Sequence, residues 1–178
     1  MVELAIEHPI TAADCFHCGL PVPFGVRYVA KVDGAERPMC CPGCSAVAQA
    51  ITDAGLADYY RYRTAVAVPQ LRQHDVPVAA ELQLFDLAEV QQTFVRATDD
   101  CVKEAALILE NITCAACVWL IEKRIGALPG VRGVEINHAT QRARVTWDET
   151  HTRLSAILQA IGDIGYRAQP YDAVRSDE

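Results

Sequence analysis

The chain has 178 residues, of which 51% are hydrophobic and 22% are charged, and this balance predicts a globular protein and excludes intrinsic disorder. The formal net charge of −7 argues against a basic surface for nucleic acid, so we expect no nucleic-acid partner. The longest apolar run, residues 115–121, falls short of the roughly 18 residues that a membrane helix needs, so we expect no direct membrane insertion of this segment.

Eight cysteines are the most informative feature of the composition. The first residues lack the basic start and apolar core of a signal peptide, so we expect a reducing compartment in which no disulfide framework forms. Closely spaced cysteine pairs then bind metal or carry redox chemistry. Six of the eight fall into three Cys-x-x-Cys pairs, Cys15 and Cys18, Cys41 and Cys44, Cys114 and Cys117.

Two cysteine turns bracket a predicted hairpin in the first sixty residues. Gly19 follows the first turn and lets backbone amides point at sulfur, as in a zinc knuckle. The hairpin has strands at residues 28–32 and 37–39 around an Asp-Gly turn. A helix then begins at or near Cys44 and ends at a glycine. A short helix at 56–62 carries Tyr59, Tyr60 and Tyr62, which we expect to pack the two modules together. This order of knuckle, hairpin, knuckle and helix is typical of a treble-clef or zinc-ribbon-like module.

The two knuckles predict a metal site. Their cysteine pairs have the spacing of a tetrahedral four-cysteine zinc site, and small domains with thin cores often depend on such a metal for stability. Structural zinc is therefore the first interpretation, and Cu(I) held for onward delivery is the alternative. The predicted ligands are Cys15, Cys18, Cys41 and Cys44. Cys40 lies outside the knuckle spacing and is expected to be an accessory thiol, and His17 is a weaker candidate ligand.

Residues 64–101 are expected to form a connector. The spacing of apolar residues there predicts one short helix over 86–95, capped by Asp86. Cys101, at the end of the connector, is expected to be a small buried apolar residue and not a metal ligand.

From residue 102 the hydrophobic pattern becomes regular. Alternating and three-to-four spacings predict, in order, a strand at 103–109, a helix at 115–127, strands at 131–137 and 142–147, a helix capped by Thr152 and a strand at 166–169. This β-α-β-β-α-β order is the ferredoxin-like arrangement, so the predicted fold class is α+β.

Cys114 and Cys117 lie where the first of these strands ends and the first helix begins. The positive end of the helix dipole favours thiolate over thiol, and the two alanines between the cysteines let both sulfurs turn toward one point. That geometry suits a soft metal ion such as Cu(I), and it also suits a redox-active disulfide. Because thioredoxin-like dithiol enzymes have a different fold, we favour a metal site.

Residues 102–170 resemble the heavy-metal-associated domain of copper chaperones and copper-transporting P-type ATPases. The matching segments stand in family order and at family spacing: Asn111-Ile112-Thr113-Cys114-Ala115-Ala116-Cys117, Leu128-Pro129-Gly130-Val131 and Ile164-Gly165-Tyr166. The family commonly has methionine where this chain has Ile112. The resemblance implies Cu(I) held by Cys114 and Cys117, with Tyr166 beside the metal loop either as a shield for the ion or as a core residue.

The N-terminal half resembles the cysteine-rich leader of the bacterial copper exporters linked to cytochrome oxidase assembly. The matching segments are Cys15-Phe16-His17-Cys18-Gly19-Leu20, Cys40-Cys41-Pro42-Gly43-Cys44, Gly55-Leu56, Tyr59-Tyr60, Trp119-Leu120-Ile121-Glu122 and Pro170-Tyr171-Asp172. This resemblance implies a soluble metal-binding region of a Cu(I)-exporting P-type ATPase, not itself an enzyme, on the cytoplasmic side of the bacterial inner membrane. The implied partners are a copper chaperone and the membrane and nucleotide-binding parts of that ATPase.

The predicted organisation has four parts. These are a cysteine-rich module at 1–63, a connector at 64–101, a heavy-metal-associated domain at 102–170 and a tail at 171–178 that leads toward a membrane part. The alternative functions are a thiol-disulfide redox domain and a zinc-ribbon module that binds a protein partner.

Overall fold

The computed structural model describes residues 14–25, 27–67 and 79–171. The expected lead-in at 1–13, two prolines of the connector (Pro69 and Pro77) and the tail from residue 172 lie outside these ranges. Within the described ranges, no helix combines the length and apolar character needed to cross a bilayer.

A β-hairpin is the first regular element of the cysteine-rich module. β1 (Tyr28–Val32) pairs antiparallel with β2 (Ala35–Met39). Asp33 and Gly34 close it with positive φ angles of 51° and 78°, the left-handed conformation that a two-residue hairpin turn needs. The predicted hairpin is confirmed, and its second strand begins two residues earlier than expected.

Two helices follow the hairpin. α1 (Pro42–Asp53) begins two residues before the predicted start at Cys44. Proline is favoured at the first position of a helix, because the backbone N–H that it lacks would have no acceptor within the helix there. α1 ends just before Gly55, which has a φ of 74°, and this confirms the predicted glycine stop. α2 (Tyr59–Tyr62) is a single turn, shorter than predicted.

The segment before the second domain contains several short elements in place of the single helix predicted over 86–95. These are α3 (Ala79–Leu82), a 3-10 turn (Gln83–Asp86), α4 (Ala88–Gln91) and β3 (Val95–Asp99). The prediction of one helix was wrong because Leu87 is extended, with φ −68° and ψ 130°, and interrupts the helical turns. β3 was not predicted because only Val95 of its five residues is even partly buried, so no alternation marks it.

The second domain has the predicted ferredoxin-like order. Its elements are β4 (Val102–Glu110), α5 (Ala115–Gly126), β5 (Val131–Asn137), β6 (Arg142–Asp148), α6 (Leu154–Asp163) and β7 (Arg167–Pro170). The strands are antiparallel in the order β3-β4-β6-β5, and β7 also pairs with β4. β3 pairs with the first half of β4 and β7 with its second half, so the end of the expected connector is part of this sheet.

The core of the domain lies between the sheet and the two long helices. β6 alternates as predicted, with Ala143, Val145 and Trp147 buried. The stripe predicted for α6 is also buried and consists of Leu154, Ile157, Leu158 and Ile161. Each such aliphatic side chain contributes about 1.5–3 kcal/mol on burial, so this layer holds α5 and α6 on the sheet.

Asp86 caps α6 and not the helix for which it was predicted. Its carboxylate accepts the backbone N–H of Ser155 at 2.9 Å and the Ser155 hydroxyl at 2.6 Å. Thr152 was expected to cap this helix, but the N-cap residue is Arg153, whose side chain makes no capping bond. A carboxylate 69 residues away in sequence therefore accepts a backbone N–H of the first turn of α6 that has no acceptor within the helix.

The two modules share one hydrophobic core. Val47 and Ile51 of α1 and Tyr59 of α2 belong to the same buried cluster as the helices of the second domain, and α2 contacts α5. Tyr60 packs against both this cluster and the smaller one around the first cysteines. The expected packing of Tyr59 and Tyr60 between the modules is confirmed, whereas Tyr62 is 69% exposed.

Candidate metal centres

Four sulfurs converge at the end of the first hairpin. They belong to Cys15, Cys18, Cys40 and Cys44, and all four Sγ atoms lie within 4.8 Å of one another. Cys18 and Cys40 are 3.6 Å apart, and Cys40 and Cys44 are 3.7 Å apart. Four sulfurs at the zinc–thiolate distance of about 2.3 Å from a tetrahedral ion stand about 3.8 Å from each other. The group therefore fits a single tetrahedral metal ion.

The sequence predicted Cys41 in this group and Cys40 outside it, and the structure reverses the two. Cys41 is the N-cap of α1, with φ −155° and ψ 165°, and its Sγ accepts the backbone N–H of Cys44 at 3.4 Å. The sulfur of Cys41 therefore faces an amide of its own helix and is not among the four sulfurs that lie within 4.8 Å of one another. Cys40 ends the hairpin and faces Cys18 and Cys44 instead. The sequence contains one signal for this arrangement: proline is favoured at the first position of a helix, so Pro42 predicts that the N-cap is Cys41.

The first cysteine turn is built to hold sulfur. Cys15 N–H donates to Leu20 O at 2.8 Å, and Gly19, with a φ of 75°, donates to Cys15 O at 2.8 Å. Burial raises the pKa of Cys15. The backbone amides of Cys18, Cys40 and His17 lower it by more than burial raises it, so the pKa of Cys15 lies below its ordinary value. Backbone amides thus stabilise a thiolate there, as predicted from the glycine after the turn.

The pKa values of Cys40 and Cys44 shift in the opposite direction. Burial raises the pKa of Cys40 to about 12, and contact with Cys18 adds to the rise. Burial and the neighbouring sulfurs Cys15 and Cys18 also raise the pKa of Cys44. Several thiolates this close repel each other, and a bound cation would remove the repulsion.

His17 does not join the sulfur group. It is 2% exposed, and its Nδ1 lies 2.9 Å from the Tyr60 hydroxyl, while its Nε2 has no hydrogen-bond partner within the described part of the chain. Burial, with the Arg63 guanidinium nearby, lowers the pKa of His17 to about 4, so the ring is neutral at pH 7. The imidazole therefore connects the first cysteine turn to α2.

Cys114 and Cys117 lie at the N-terminus of α5. Cys114 is the N-cap, Cys117 lies in the first turn, and their Sγ atoms are 3.6 Å apart. Two sulfurs bound to one ion at a distance of about 2.3 Å stand at most about 4.6 Å apart, so the pair fits a single ion. The loop begins at Asn111, whose φ of 69° is a left-handed conformation that asparagine tolerates well. Ile112, in this loop, is buried.

Backbone donors favour the thiolate of Cys114. Burial raises its pKa, but the amides of Thr64, Cys117 and Ala116 and the side chain of Cys117 lower it, and the resulting pKa is about 7. Thr64 belongs to the first module and was not among the predicted site residues. No local sequence pattern marks it, because its contribution is a backbone N–H from a distant part of the chain.

Two tyrosines lie beside the second sulfur pair. Tyr166 is 8% exposed, belongs to the core cluster and lies next to the Cys117 sulfur, so it is a core residue beside the metal loop. Tyr59, from α2, is fully buried, and burial raises its pKa to about 12. Its hydroxyl adjoins Tyr166 and Cys117 but has no hydrogen-bond partner of normal geometry within the described residues. Tyr59 was not among the predicted site residues.

Cys101 is exposed in the turn between β3 and β4, so the prediction of a small buried residue was wrong. The turn leaves its side chain in solvent, and Cys101 does not belong to the four-sulfur group. It is therefore a surface thiol.

Two family models match the chain. The "Putative metal-binding domain of cation transport ATPase" matches residues 14–99, and the heavy-metal-associated domain matches residues 106–167. The first match contains the four-sulfur group, and the second contains Cys114 and Cys117.

Similar proteins include transporters and a chaperone. The "Probable copper-transporting ATPase PacS" of Synechococcus elongatus is 41% identical over 69 residues, which are 39% of this chain and 9% of that ATPase. The copper chaperone CopZ of Enterococcus hirae is 33% identical over 61 residues, which are 34% of this chain and 88% of the chaperone. The solved N-terminal domain of PacS from Synechocystis PCC6803 is 32% identical and covers 38% of this chain and 96% of its own, with a TM-score of 0.35. The match thus spans about a tenth of the length of the ATPase relative.

Proposed function

Because this chain belongs to the heavy-metal-associated domain family through residues 106–167, we propose that it binds Cu(I) between the thiolates of Cys114 and Cys117. In this proposal the chain is the cytoplasmic metal-binding region of a Cu(I)-exporting P-type ATPase. It receives the ion from a copper chaperone and either passes it to the membrane part or regulates transport. The chain itself carries no catalytic step.

The observation that carries the proposal is the sulfur pair at the start of α5. Its two Sγ atoms are 3.6 Å apart, and backbone amides hold the pKa of Cys114 at about 7. Cu(I) is a soft ion that two thiolates satisfy, whereas zinc completes a tetrahedron with four ligands. Within the described residues, the only group of three or more clustered metal-binding side chains is the four-cysteine group of the first module, so this pair offers two sulfurs alone. That donor set favours Cu(I).

A competition titration tests the proposal. Cu(I) is added to the reduced full chain in the presence of a colorimetric Cu(I) chelator, with zinc kept on the first module. The wild-type chain and Cys101→Ser, which removes the exposed thiol, are expected to take one tightly bound Cu(I). Cys114→Ser/Cys117→Ser is expected to lose this ion. Retention of one tight Cu(I) in the double variant would refute the proposal.

The four-sulfur group supports a separate proposal, which is structural zinc held by Cys15, Cys18, Cys40 and Cys44. The spacing of its sulfurs is that of a zinc–thiolate tetrahedron. Elemental analysis of the purified chain, compared with Cys15→Ser/Cys18→Ser, is expected to show one zinc per chain in the first and none in the second. Copper in place of zinc at this group would favour the alternative of Cu(I) delivery.

A further inference from the structure

The sulfur pair of the second domain is covered by the first module. Cys114 and Cys117 are only 6% and 1% exposed. Tyr59 belongs to the same buried cluster as both cysteines, and α2, which carries it, contacts α5. Residues 59–64 are called the cover segment below. Little of either cysteine is left open to an incoming sulfur ligand.

Arg63 fixes the cover segment to the first cysteine turn. One of its terminal nitrogens donates to the carbonyl of His17 at 2.6 Å, and the other donates to the carbonyl of Phe16. Its guanidinium also lies 4.9 Å from the ring centre of Tyr60 and 5.3 Å from that of Phe16. These bonds satisfy two carbonyls of the loop that lies between Cys15 and Cys18.

The contacts continue on either side of Arg63. The Tyr60 hydroxyl lies 2.9 Å from His17 Nδ1, and Ala67 N–H donates to His17 O at 3.3 Å. Val66 packs against Gly19, where an added Cβ would stand 3.3 Å from Val66 Cγ1. The cover segment and the residues that follow it are therefore attached to the Cys15–Cys18 turn, while Tyr59 packs in the buried cluster that contains Cys114 and Cys117.

We propose that the cover segment gates the Cys114/Cys117 pair, with Arg63 as the positioning residue that links the gate to the Cys15–Cys18 turn. Ligand exchange at the pair then requires local opening of this segment, and the order of the first cysteine turn sets how often it opens. The identity of the exchanged ion as Cu(I) rests on the proposed function. The gate itself does not.

Thiol alkylation of the zinc-loaded full chain without copper tests the gate. Pulses of N-ethylmaleimide followed by peptide mapping give a rate for each cysteine, with exposed Cys101 as the internal reference. Because both sulfurs are covered whereas Cys101 is exposed, the gate predicts that Cys114 and Cys117 react more slowly than Cys101 in the wild type.

Arg63→Met is expected to raise the rates of Cys114 and Cys117 about tenfold or more, because it removes two charge-assisted hydrogen bonds. Arg63→Lys, which keeps one donor and the charge, is expected to give an intermediate rate. Arg61→Met is the matched control, since Arg61 lies in α2 two residues before Arg63 and, within the described residues, pairs with Asp33 and Asp58 at the surface. It is expected to change none of the rates.

The fully buried Cys44 reports whether each variant keeps its fold, because it should stay unreactive. If Arg63→Met unfolds the module, Tyr60→Phe removes only the hydroxyl at His17 and is expected to raise the same two rates. Wild-type Cys114 and Cys117 reacting as fast as Cys101 would overturn the gate, as would unchanged rates in a folded Arg63→Met or Tyr60→Phe. Since no copper is present, failure of the gate leaves the Cu(I) titration to decide the proposed function independently.

Discussion

Cys40 and Cys41 differ in what surrounds each sulfur. Cys40 Sγ lies 3.6 Å from Cys18 and 3.7 Å from Cys44, whereas Cys41 Sγ accepts an amide of the helix that it caps. Sequence spacing predicted a metal site here with Cys41 among its ligands, whereas the sulfur that lies with those of Cys15, Cys18 and Cys44 is that of Cys40. The choice depends on where α1 begins, and spacing alone does not fix that residue.

The exchange of Cys40 for serine is expected to lower the zinc content of the purified chain well below one per molecule, because a hydroxyl replaces a thiolate ligand. Cys41→Ser is the matched control. Serine is itself a good N-cap, so this variant should keep its zinc and its stability. Elemental analysis of both variants checks the assignment. Zinc loss in Cys41→Ser with full zinc in Cys40→Ser would restore the interpretation from spacing.

The lowered pKa of Cys114 makes a prediction about pH. Its folded pKa of about 7 lies below the ordinary value of 9.0, so the folded state prefers the thiolate. The resulting stability is fully present above pH 9, declines between pH 9 and pH 7 and is absent below pH 7. A shift of this size corresponds to at most about 3 kcal/mol.

Urea unfolding of the reduced, copper-free chain measures this effect. The difference in unfolding free energy between wild type and Cys114→Ser should grow as the pH rises from 6 to 9.5. Cys101→Ser should show no such change with pH. An equal difference between wild type and Cys114→Ser at both pH values would contradict the electrostatic account of the loop.

At the scale of elements, the long periodic segments were predictable and the short ones were not. β5 and the alternation of β6 follow from period-two patterns, and the buried stripe of α6 follows from three-to-four spacing. β3 has no buried face, so only its pairing with β4 defines it. The first turn of α6 depends on Asp86, whose partner is remote in sequence.

Asp86→Ala is expected to lower the unfolding free energy by about 1–2 kcal/mol, because it leaves the amide and hydroxyl of Ser155 without their acceptor. Glu89→Ala provides a control, since Glu89 is an exposed carboxylate in the adjacent α4. Urea denaturation of the two variants gives the comparison. Equal stabilities for both would show that the bond between Asp86 and Ser155 contributes little to the fold.

For the whole molecule, the two cysteine sites are parts of one packed structure. The shared core contains Tyr59 of the first module and Cys114 and Cys117 of the second, and Arg63 links the first cysteine turn to the segment over that pair. Each site could be predicted from local motifs, and so could the packing of Tyr59 and Tyr60 between the modules. The link from Arg63 to the first cysteine turn could not be predicted, because its hydrogen bonds join residues that are remote in sequence.

The central claim is that Cys114 and Cys117 hold Cu(I) through their two sulfurs. X-ray absorption at the copper edge, on the zinc-loaded chain with one equivalent of Cu(I), tests it most directly. The account predicts a first shell of two sulfurs in the wild type and loss of that shell in Cys114→Ser/Cys117→Ser, with Cys101→Ser unchanged. A shell of four sulfurs, or the same two-sulfur shell in the double variant, would contradict it.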